Sequence, residues 1–263
     1  MADHTDQMIS IRGCRIRLMR GGSGPPLLFL HGGGGAGIWL PSMAELAKKF
    51  DVLAPEHPGF GASDTPEWLD NVADLANFYL DFLEQLDLNG VHLIGSSLGG
   101  WIAAELAVRN TGRLASLTLV GSAGIYVDGV PQVDTFLCND EQRIRDLFYD
   151  QDLAEAVIAS SERPEFEDAN LKNRTASARL LWQPRSHDPN LRKWLHRIDV
   201  PTLLLWGNND RLVPREYAFA FQQLIPGAKA IVLPECGHLP HVEKGEVFVS
   251  ELDAFIGEQR VAA

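Results

Sequence analysis

The chain has 263 residues, of which 45% are hydrophobic, and carries a formal net charge of −12. That length suits one α/β domain, or one domain with an insertion, and the acidic balance argues against nucleic acid as a partner, because binding phosphates requires clustered Lys and Arg. The first residues lack the basic-then-apolar pattern of a signal peptide, and no apolar stretch approaches membrane-spanning length. We therefore expect a cytoplasmic protein with no membrane partner, and the sequence leaves a homodimer open.

The first half of the chain alternates short apolar runs with helical patterns. Residues 71–86 carry apolar side chains at helical spacing, which predicts an amphipathic helix. Gly13-Cys14 separates two short segments in which apolar and polar residues alternate, and this pattern predicts an antiparallel hairpin. The expected strands of this half are residues 8–12, 15–19, 26–30, 50–54 and 91–94, and the other expected helix is 41–49. Cys14, Cys138 and Cys236 are scattered, which indicates free thiols and no structural metal.

The second half repeats this alternation after an interruption. Continuous apolar runs are typical of strands covered on both faces, so we expect a mostly parallel sheet flanked by helices, which is an α/β fold. Residues 123–198 are helical and charged, and they contain no convincing buried strand. We interpret them as a helical cap inserted into a core of residues 1–122 and 199–263. The expected strands of this half are 114–120, 202–206 and 230–233, and the helices are 215–224 and 246–256.

A Gly-x-Ser-x-Gly pentapeptide, Gly95-Ser96-Ser97-Leu98-Gly99, lies between a predicted strand and a helix. Serine becomes a useful nucleophile when a sharp strand-to-helix turn exposes its hydroxyl to a base, and glycine tolerates the backbone dihedrals of such a turn. Alone, the pattern also fits an ordinary glycine-rich turn, since it arises by chance in about one such chain in ten. Ser97 is the candidate nucleophile, and its partners must decide between these readings.

Two candidate partners follow later strands, where the carboxyl ends of a parallel sheet gather functional groups. Asp210 comes just after residues 202–206, and His238 comes after residues 230–233. A histidine can take up the serine proton and return it to a leaving group at neutral pH, and an aspartate can hold the imidazole in the correct tautomer. Each residue alone would be read as a turn or surface residue, but together with Ser97 they predict a catalytic triad.

A glycine run after the strand at residues 26–30 provides the remaining component. Acyl transfer places negative charge on the carbonyl oxygen, which needs two preorganised N–H donors. We assign these donors to Gly33, in His31-Gly32-Gly33-Gly34-Gly35, and to Leu98, the residue after the nucleophile. The run lacks the Lys-Ser/Thr ending of a phosphate-binding loop, so nucleotide binding is not expected.

Taken together, these motifs resemble the α/β-hydrolase fold superfamily over essentially the whole chain. The order of nucleophile, acid and histidine is that of the superfamily, and the segments Pro58-Gly59-Phe60-Gly61 and Trp206-Gly207-Asn208-Asn209-Asp210 match it as well. The resemblance implies a mainly parallel eight-stranded sheet, a cap inserted after the strand ending near Val120, and hydrolysis without a cofactor. It also implies that Ser97, Asp210 and His238 form the triad, with Gly33 and Leu98 at the oxyanion hole.

The expected activity is hydrolysis of a carboxylic ester, through an acyl-enzyme, on a small or medium, fairly apolar molecule that enters under the cap. The alternative is a carbon–carbon bond hydrolase of ring-cleavage products, because the segments Ser97-Leu98-Gly99-Gly100-Trp101 and 119–124 resemble those enzymes, although Leu239 follows His238 where they typically have an aromatic residue. Their cap arginine would be Arg174 or Arg179. A ligand-binding member of the fold without activity is a third reading.

Apolar pocket residues are the least determined part of the site. We name Trp39, Trp101 and Trp182 as candidate substrate-binding residues, since ligand pockets are mostly apolar, with core packing as the competing role for each. His57 is placed outside the site, and His187 and His241 are expected at the surface. Cys236 is read as a packing residue.

Overall fold

The computed structural model describes residues 4–161 and 163–262, and its centre is a single eight-stranded sheet. The strands run in the spatial order β1-β2-β4-β3-β5-β6-β7-β8. Their bounds are β1 His4–Ile11, β2 Cys14–Gly21, β3 Pro26–Leu30, β4 Asp51–Pro55, β5 Val91–Ser96, β6 Leu114–Val120, β7 Thr202–Gly207 and β8 Lys229–Leu233.

Six of these strands form a parallel sheet, and an antiparallel hairpin extends one edge of it. β1 pairs antiparallel with β2, which pairs antiparallel with β4, whereas every pair from β4 through β3 to β8 is parallel. All residues of β5 and β7 are buried. Helices cover both faces, which is why these strands are buried along their whole length and are mostly apolar rather than alternating. The predicted fold class, an α/β-hydrolase fold with a mostly parallel eight-stranded sheet, is confirmed.

Helices cover the two faces of the sheet with separate apolar clusters. α2 begins with a capping box in which Asn71 and Asp74 bond each other's backbone, and it buries the apolar face predicted from its spacing. α2 and α3 pack together on one face, whereas α1 and α10 pack together on the other. The helices outside residues 123–198 are α1 Pro41–Leu46, α2 Val72–Gln85, α3 Leu98–Arg109, α8 Glu216–Leu224, α9 Pro240–Glu243 and α10 Gly245–Ala262.

Residues 123–198, the predicted cap, are helical wherever they are regular, within the part of the chain that the structure describes. Their α-helices are α4 Asp140–Leu147, α5 Gln151–Ser161, α6 Glu167–Leu181 and α7 Leu191–Trp194, with 3-10 turns at Pro164–Phe166 and Leu195–Arg197. The division of the chain into core and cap stays a prediction. Among the described residues, no helix is both long and apolar enough to cross a membrane.

Candidate active site

The strand-to-helix turn at Ser97 holds the backbone in a conformation that side chains normally avoid. Ser97 lies between β5 and α3 and has φ 55° and ψ −114°. Its N–H donates to the Val120 carbonyl at 2.8 Å, and its own carbonyl accepts from the N–H groups of Trp101 and Ala123, each at 3.2 Å. These bonds hold the strained residue, and a turn of this kind presents its hydroxyl at the carboxyl end of the sheet.

Glycine is required around this turn because other parts of the backbone come too close for a side chain. A Cβ atom on Gly95 would lie 2.2 Å from the Gly99 carbonyl oxygen, and one on Gly99 would lie 2.1 Å from the Leu30 carbonyl oxygen. A Cβ on Gly32 would lie 3.2 Å from the Ser97 Cβ. The glycines therefore allow β3, β5 and the start of α3 to approach one another directly, with the glycine loop beside Ser97.

His238 and Asp210 form a buried hydrogen-bonded pair. The His238 Nδ1 lies 2.7 Å from the Asp210 Oδ2, and both side chains are essentially inaccessible to solvent. The other carboxylate oxygen, Oδ1, accepts from the N–H groups of Leu212 and Val213, each at 2.9 Å. Because a carboxylate can only accept, this contact places the imidazole proton on Nδ1 and leaves Nε2 as the basic nitrogen.

The glycine loop that follows β3 is held in place from the side of the predicted cap. The Ser177 hydroxyl donates to the Gly33 carbonyl at 2.9 Å, and the Asn173 amide donates to the Gly34 carbonyl at 2.8 Å. Both side chains belong to α6. At the other predicted donor, Leu98 is the first residue of α3, so its N–H has no acceptor within the helix and is free to meet an anion.

A cavity of about 780 Å³ joins these groups. Ser97, His238, Gly33 and Leu98 all line it, and Asp210 lies behind His238. The structure thus brings together all five residues predicted for the triad and the oxyanion hole. Much of the remaining lining is apolar, and it comes from the loop after β3, from α1, α6 and α9 and from the loop after β7, with Leu40, Met43, Leu171, Leu181, Val213 and Val242 among it.

Comparison of this chain with known protein families agrees with the fold and with the arrangement of the candidate site. The family model described as "Alpha/beta hydrolase family" matches residues 27–251. The chain belongs to the alpha/beta hydrolase family.

Similar proteins of this family include both carbon–carbon and ester hydrolases. The hydrolase is 26% identical to a 2-hydroxy-6-oxo-6-(2'-aminophenyl)hexa-2,4-dienoic acid hydrolase of Metapseudomonas resinovorans, over 97% of this chain and 92% of the relative. It is 27% identical to Lipase 3 of Moraxella sp. (strain TA144), over 89% and 78% of the two chains. Among solved structures, a bacterial membrane phospholipase A aligns with a TM-score of 0.81 and 25% identity, over 98% of this chain and 87% of that one.

The three tryptophans predicted to bind substrate are not among the residues that line the cavity of this hydrolase. Trp39 stacks on the His4 ring at a centroid distance of 4.8 Å. Trp101 is only 4% exposed, packs in the core and donates to Glu105 at 3.1 Å. Trp182 is 54% exposed and lies under the Arg185 guanidinium at 3.8 Å. Core packing, the competing role named for each, describes Trp101, whereas Trp39 is partly buried and Trp182 is exposed.

His241 lines the cavity, although the sequence indicated a surface residue. Its side chain is 6% exposed, and its Nδ1 has no hydrogen-bond partner among the described residues. Burial, and then the nearby His238, lower the pKa of His241 to about 3, so the ring is neutral. The sequence signal was available: Pro240 favours a helix start two residues after His238, and this keeps His241, the next residue, close to the site.

Cationic groups reach the cavity from the predicted cap. Of the two arginines considered from the sequence, Arg174 lines the cavity and pairs with Asp140 at 2.5 Å, whereas Arg179 pairs with Asp70 at 3.5 Å away from it. Arg143 also lines the cavity and shares Asp140 at 3.3 Å. Two guanidinium groups on one carboxylate leave a net positive charge at this wall.

The thiol nearest the site in sequence is unsuited to nucleophilic chemistry. Cys236 is fully buried, and burial, followed by the charge of Glu243, raises the pKa of its thiol to about 12. It packs in the cluster between the sheet and α10. The reading of Cys236 as a packing residue agrees with this position, because only an ionised thiol is an effective nucleophile.

Proposed function

We propose that this protein is a serine hydrolase that cleaves carboxylic esters through an acyl-enzyme. The observation that carries the proposal is the junction of three features in one cavity: Ser97 on a strained turn, the buried His238–Asp210 pair at 2.7 Å, and the glycine loop beside Ser97. An α/β hydrolase needs these components for acyl transfer and needs no other.

In the acylation step, the Ser97 Oγ attacks the ester carbonyl carbon while the His238 Nε2 takes the hydroxyl proton. The carbonyl electron pair moves onto oxygen, where the N–H groups of Gly33 and Leu98 stabilise the negative charge. Asp210 stabilises the resulting imidazolium through its bond to Nδ1. The carbonyl then re-forms, the C–O bond to the alcohol breaks, and the alcohol leaves with the proton from His238.

In the deacylation step, water replaces the alcohol. The His238 Nε2 takes a proton from the water as its oxygen attacks the acyl carbon, and the oxyanion forms in the same place. Collapse of this intermediate breaks the bond to the Ser97 Oγ, which recovers a proton from His238. The products are a carboxylic acid and the free enzyme, so one water is consumed per ester.

The cavity favours a small to medium, largely apolar substrate. Its volume of about 780 Å³ lies within the range of drug-sized ligand sites. Apolar side chains are the largest group among the residues that line it. Apolar acyl or alcohol groups are therefore expected to gain affinity from burial.

A second candidate is hydrolysis of a carbon–carbon bond in a dienoate, and the position of the cap arginines favours it. Arg143 and Arg174 give the cavity wall a positive charge that could pair with a substrate carboxylate. Relatives of this specificity align over nearly the whole chain. In that reaction the Ser97 Oγ would attack the ketone carbon as His238 takes the hydroxyl proton, and the leaving carbon would take that proton from His238 as the carbon–carbon bond breaks. Water would then hydrolyse the acyl-enzyme as described for the ester.

The test compares Ser97→Ala with Ser96→Ala on a panel of p-nitrophenyl esters and dienoate ring-cleavage products. Ser97→Ala should lower kcat by at least about 10⁴-fold, because the nucleophile acts as a unit with its base. Ser96→Ala is the matched control within the same pentapeptide, since its hydroxyl is enclosed without a partner among the described residues. It should retain activity within about threefold of the parent.

Each outcome assigns the function. If Ser97→Ala keeps the parent rate on every substrate, the serine hydrolase proposal is wrong. If the parent turns over dienoates rapidly and esters only weakly, the carbon–carbon reaction replaces the ester reaction. Arg174→Gln then separates the two candidates further, because it should raise KM for the dienoate and leave KM for neutral esters unchanged.

A further inference from the structure

Two histidine rings lie stacked below the glycine loop, at the carboxyl ends of neighbouring strands. His31 follows β3 and His57 follows β4, and their ring centroids are 3.6 Å apart. Both rings are buried, and Phe60 packs its edge against each of them. Tyr79, which is fully buried on α2, reaches His57. The chemistry proposed above uses none of these four side chains.

The hydrogen bonds of His31 allow only one arrangement of its proton. Its Nδ1 lies 2.7 Å from the Gly32 carbonyl oxygen, which can only accept, so Nδ1 carries the proton. Its Nε2 accepts from the backbone N–H of His57 at 2.9 Å. Both nitrogens are therefore satisfied by the neutral ring in a single tautomer.

His57 is fixed by the same reasoning, in the opposite tautomer. Its Nε2 lies 2.9 Å from the His31 carbonyl oxygen and must donate to it. Its Nδ1 is then the acceptor for the Tyr79 hydroxyl at 2.5 Å. All three hydrogen bonds are therefore donated in the same order along this chain. The Tyr79 hydroxyl donates to His57, and His57 donates to His31 through both its backbone N–H and its ring N–H.

Burial keeps every member of this chain uncharged. It lowers the pKa of His31 to about 4, and it lowers the pKa of His57 well below its usual value. It also raises the pKa of Tyr79 well above its usual value, so the phenol keeps the proton that it donates. If His31 were protonated, its Nε2–H would face the backbone N–H of His57, and two donors cannot form a hydrogen bond with each other. The geometry therefore also disfavours a charged His31.

The last acceptor in the chain belongs to the peptide that carries the proposed oxyanion donor. The Gly32 carbonyl and the Gly33 N–H are parts of one planar trans peptide, so fixing the direction of the oxygen fixes the direction of the N–H. A weaker second bond, from the Gly35 N–H at 3.2 Å, reaches the same oxygen. The histidine bond at 2.7 Å is the shorter of the two.

We propose that Tyr79, His57 and His31 are positioning residues that orient the Gly33 N–H toward the oxyanion. This inference rests on the proposed function, in which Gly33 supplies one of the two donors. Tyr79 fixes the tautomer of His57, so that the His57 ring donates to the His31 carbonyl and holds the backbone there. The His57 backbone N–H fixes the tautomer of the His31 ring, and that ring holds the Gly32–Gly33 peptide. Loss of a distant member then weakens stabilisation of the transition state while leaving the substrate cavity intact.

Tyr79→Phe tests the proposal because it removes only the hydroxyl and keeps the buried ring. We expect kcat to fall about tenfold with KM unchanged, a fraction of the loss seen when an oxyanion donor is deleted outright. The inhibition constant of an aryl trifluoromethyl ketone, which forms a tetrahedral oxyanion on the nucleophile, should rise by the same factor. Binding of the corresponding methyl ketone should not change.

Ser116→Ala provides the matched control. It too removes a buried hydroxyl bonded to a histidine, at 2.8 Å from the His92 Nδ1, but at the amino ends of β5 and β6, far from the site. It should lose stability comparably and keep kcat and the trifluoromethyl ketone affinity. If Tyr79→Phe behaves in the same way as this control, the hydroxyl is merely structural and the inference is wrong.

A second pair of variants keeps the inference testable if Tyr79→Phe folds poorly. His57→Gln retains a side-chain N–H that can reach the His31 carbonyl, whereas His57→Leu retains none. The glutamine variant should recover most of kcat and the leucine variant should not, and equal rates would overturn the inference. Failure of Ser97→Ala to reduce activity would instead overturn the proposed function, so the two failures are distinct.

Discussion

The carboxyl end of the sheet and the predicted cap, residues 123–198, both line the same cavity but are built in different ways. At the sheet end, backbone segments touch directly: a Cβ on Gly207 would lie 1.9 Å from the Gly237 carbonyl oxygen. In the predicted cap, exposed ion pairs are prominent, such as those of Arg145 with Glu141 and of Arg174 with Asp140. Surface pairs of this kind contribute little to stability.

This difference corresponds to two parts of the proposed function, which are bond cleavage at the end of the sheet and substrate selection by the predicted cap. The proposed triad of Ser97, Asp210 and His238 lies at this closely packed end of the sheet, and close packing of this kind suits the precise placement that catalytic groups would require. The predicted cap supplies lining residues on helices with few buried side chains, which can change without disturbing the sheet. α6 is the link between them, because it bonds the glycine loop through Asn173 and Ser177.

The largest expected effect comes from forcing a side chain into the packed sheet end. Gly99→Ala places a Cβ where the Leu30 carbonyl oxygen already lies, at 2.1 Å. The backbone would have to separate, so we expect the free energy of unfolding to fall by about 3 kcal/mol. Activity should fall with it, because the turn at Ser97 would shift. Chemical denaturation and ester kinetics on the same preparation measure both.

Gly257→Ala is the control for this variant. Gly257 is helical, in α10, and a Cβ there meets no atom within 4 Å. Alanine in a helix is favoured over glycine, so stability should rise by about 1 kcal/mol with activity unchanged. Equal stability losses in the two variants would mean that the sheet end is no more tightly packed than the rest of the molecule.

A smaller effect, and one that depends on pH, is expected from His241 in the cavity wall. The unfolded chain binds a proton on this ring below about pH 6.5, whereas the folded ring stays neutral down to about pH 3. The free energy of unfolding therefore falls as pH decreases through this window, by about 1.4 kcal/mol per pH unit for each such ring. His241→Leu should reduce the measured slope by that amount.

Denaturant titrations at several pH values between about 6 and about 4 measure this slope. His196→Leu removes an exposed histidine of the predicted cap instead and is the matched control for the loss of an imidazole ring. A slope for His241→Leu equal to that of the parent would show that this ring takes up a proton in the folded protein, contrary to its enclosed position.

The smallest effect is expected where α6 meets the glycine loop. Asn173→Ala removes a bond to the Gly34 carbonyl and another from the Gly61 N–H, each at 2.8 Å. We expect kcat/KM for esters to fall about fivefold, as for the loss of about one net hydrogen bond. Asn170→Ala, which removes a bond within the predicted cap to Ser161, should not change it. A loss in both variants would point to a general disturbance of α6.

Much of the sheet, and the residues of the candidate site, could be located from the sequence because they depend on local patterns. Apolar runs located six parallel strands to within about two residues, as expected for buried strands. β1 begins at His4, earlier than the predicted residues 8–12, because pairing with β2 continues to Gly21 across polar residues. Ser97, Asp210 and His238 could be picked out because each lies at, or a few residues beyond, the end of a strand.

The parts of the site that could not be predicted depend on contacts between residues that are distant in the sequence. The choice of Trp39, Trp101 and Trp182 rested on residue type alone, and type does not show which neighbour an aromatic ring packs against. The stacked pair His31 and His57 could not be seen, because it forms only when β3 and β4 lie side by side.

The most direct test of the account is the site and rate of labelling by a fluorophosphonate probe, which phosphonylates an activated serine hydroxyl. We predict a single adduct, located by mass spectrometry on Ser97, whose formation is abolished in Ser97→Ala and slowed by at least about 10³-fold in Asp210→Asn, where the imidazole loses its fixed tautomer. An adduct on another residue, or an equal labelling rate in Asp210→Asn, would contradict the assignment of Ser97, His238 and Asp210 as the hydrolytic site.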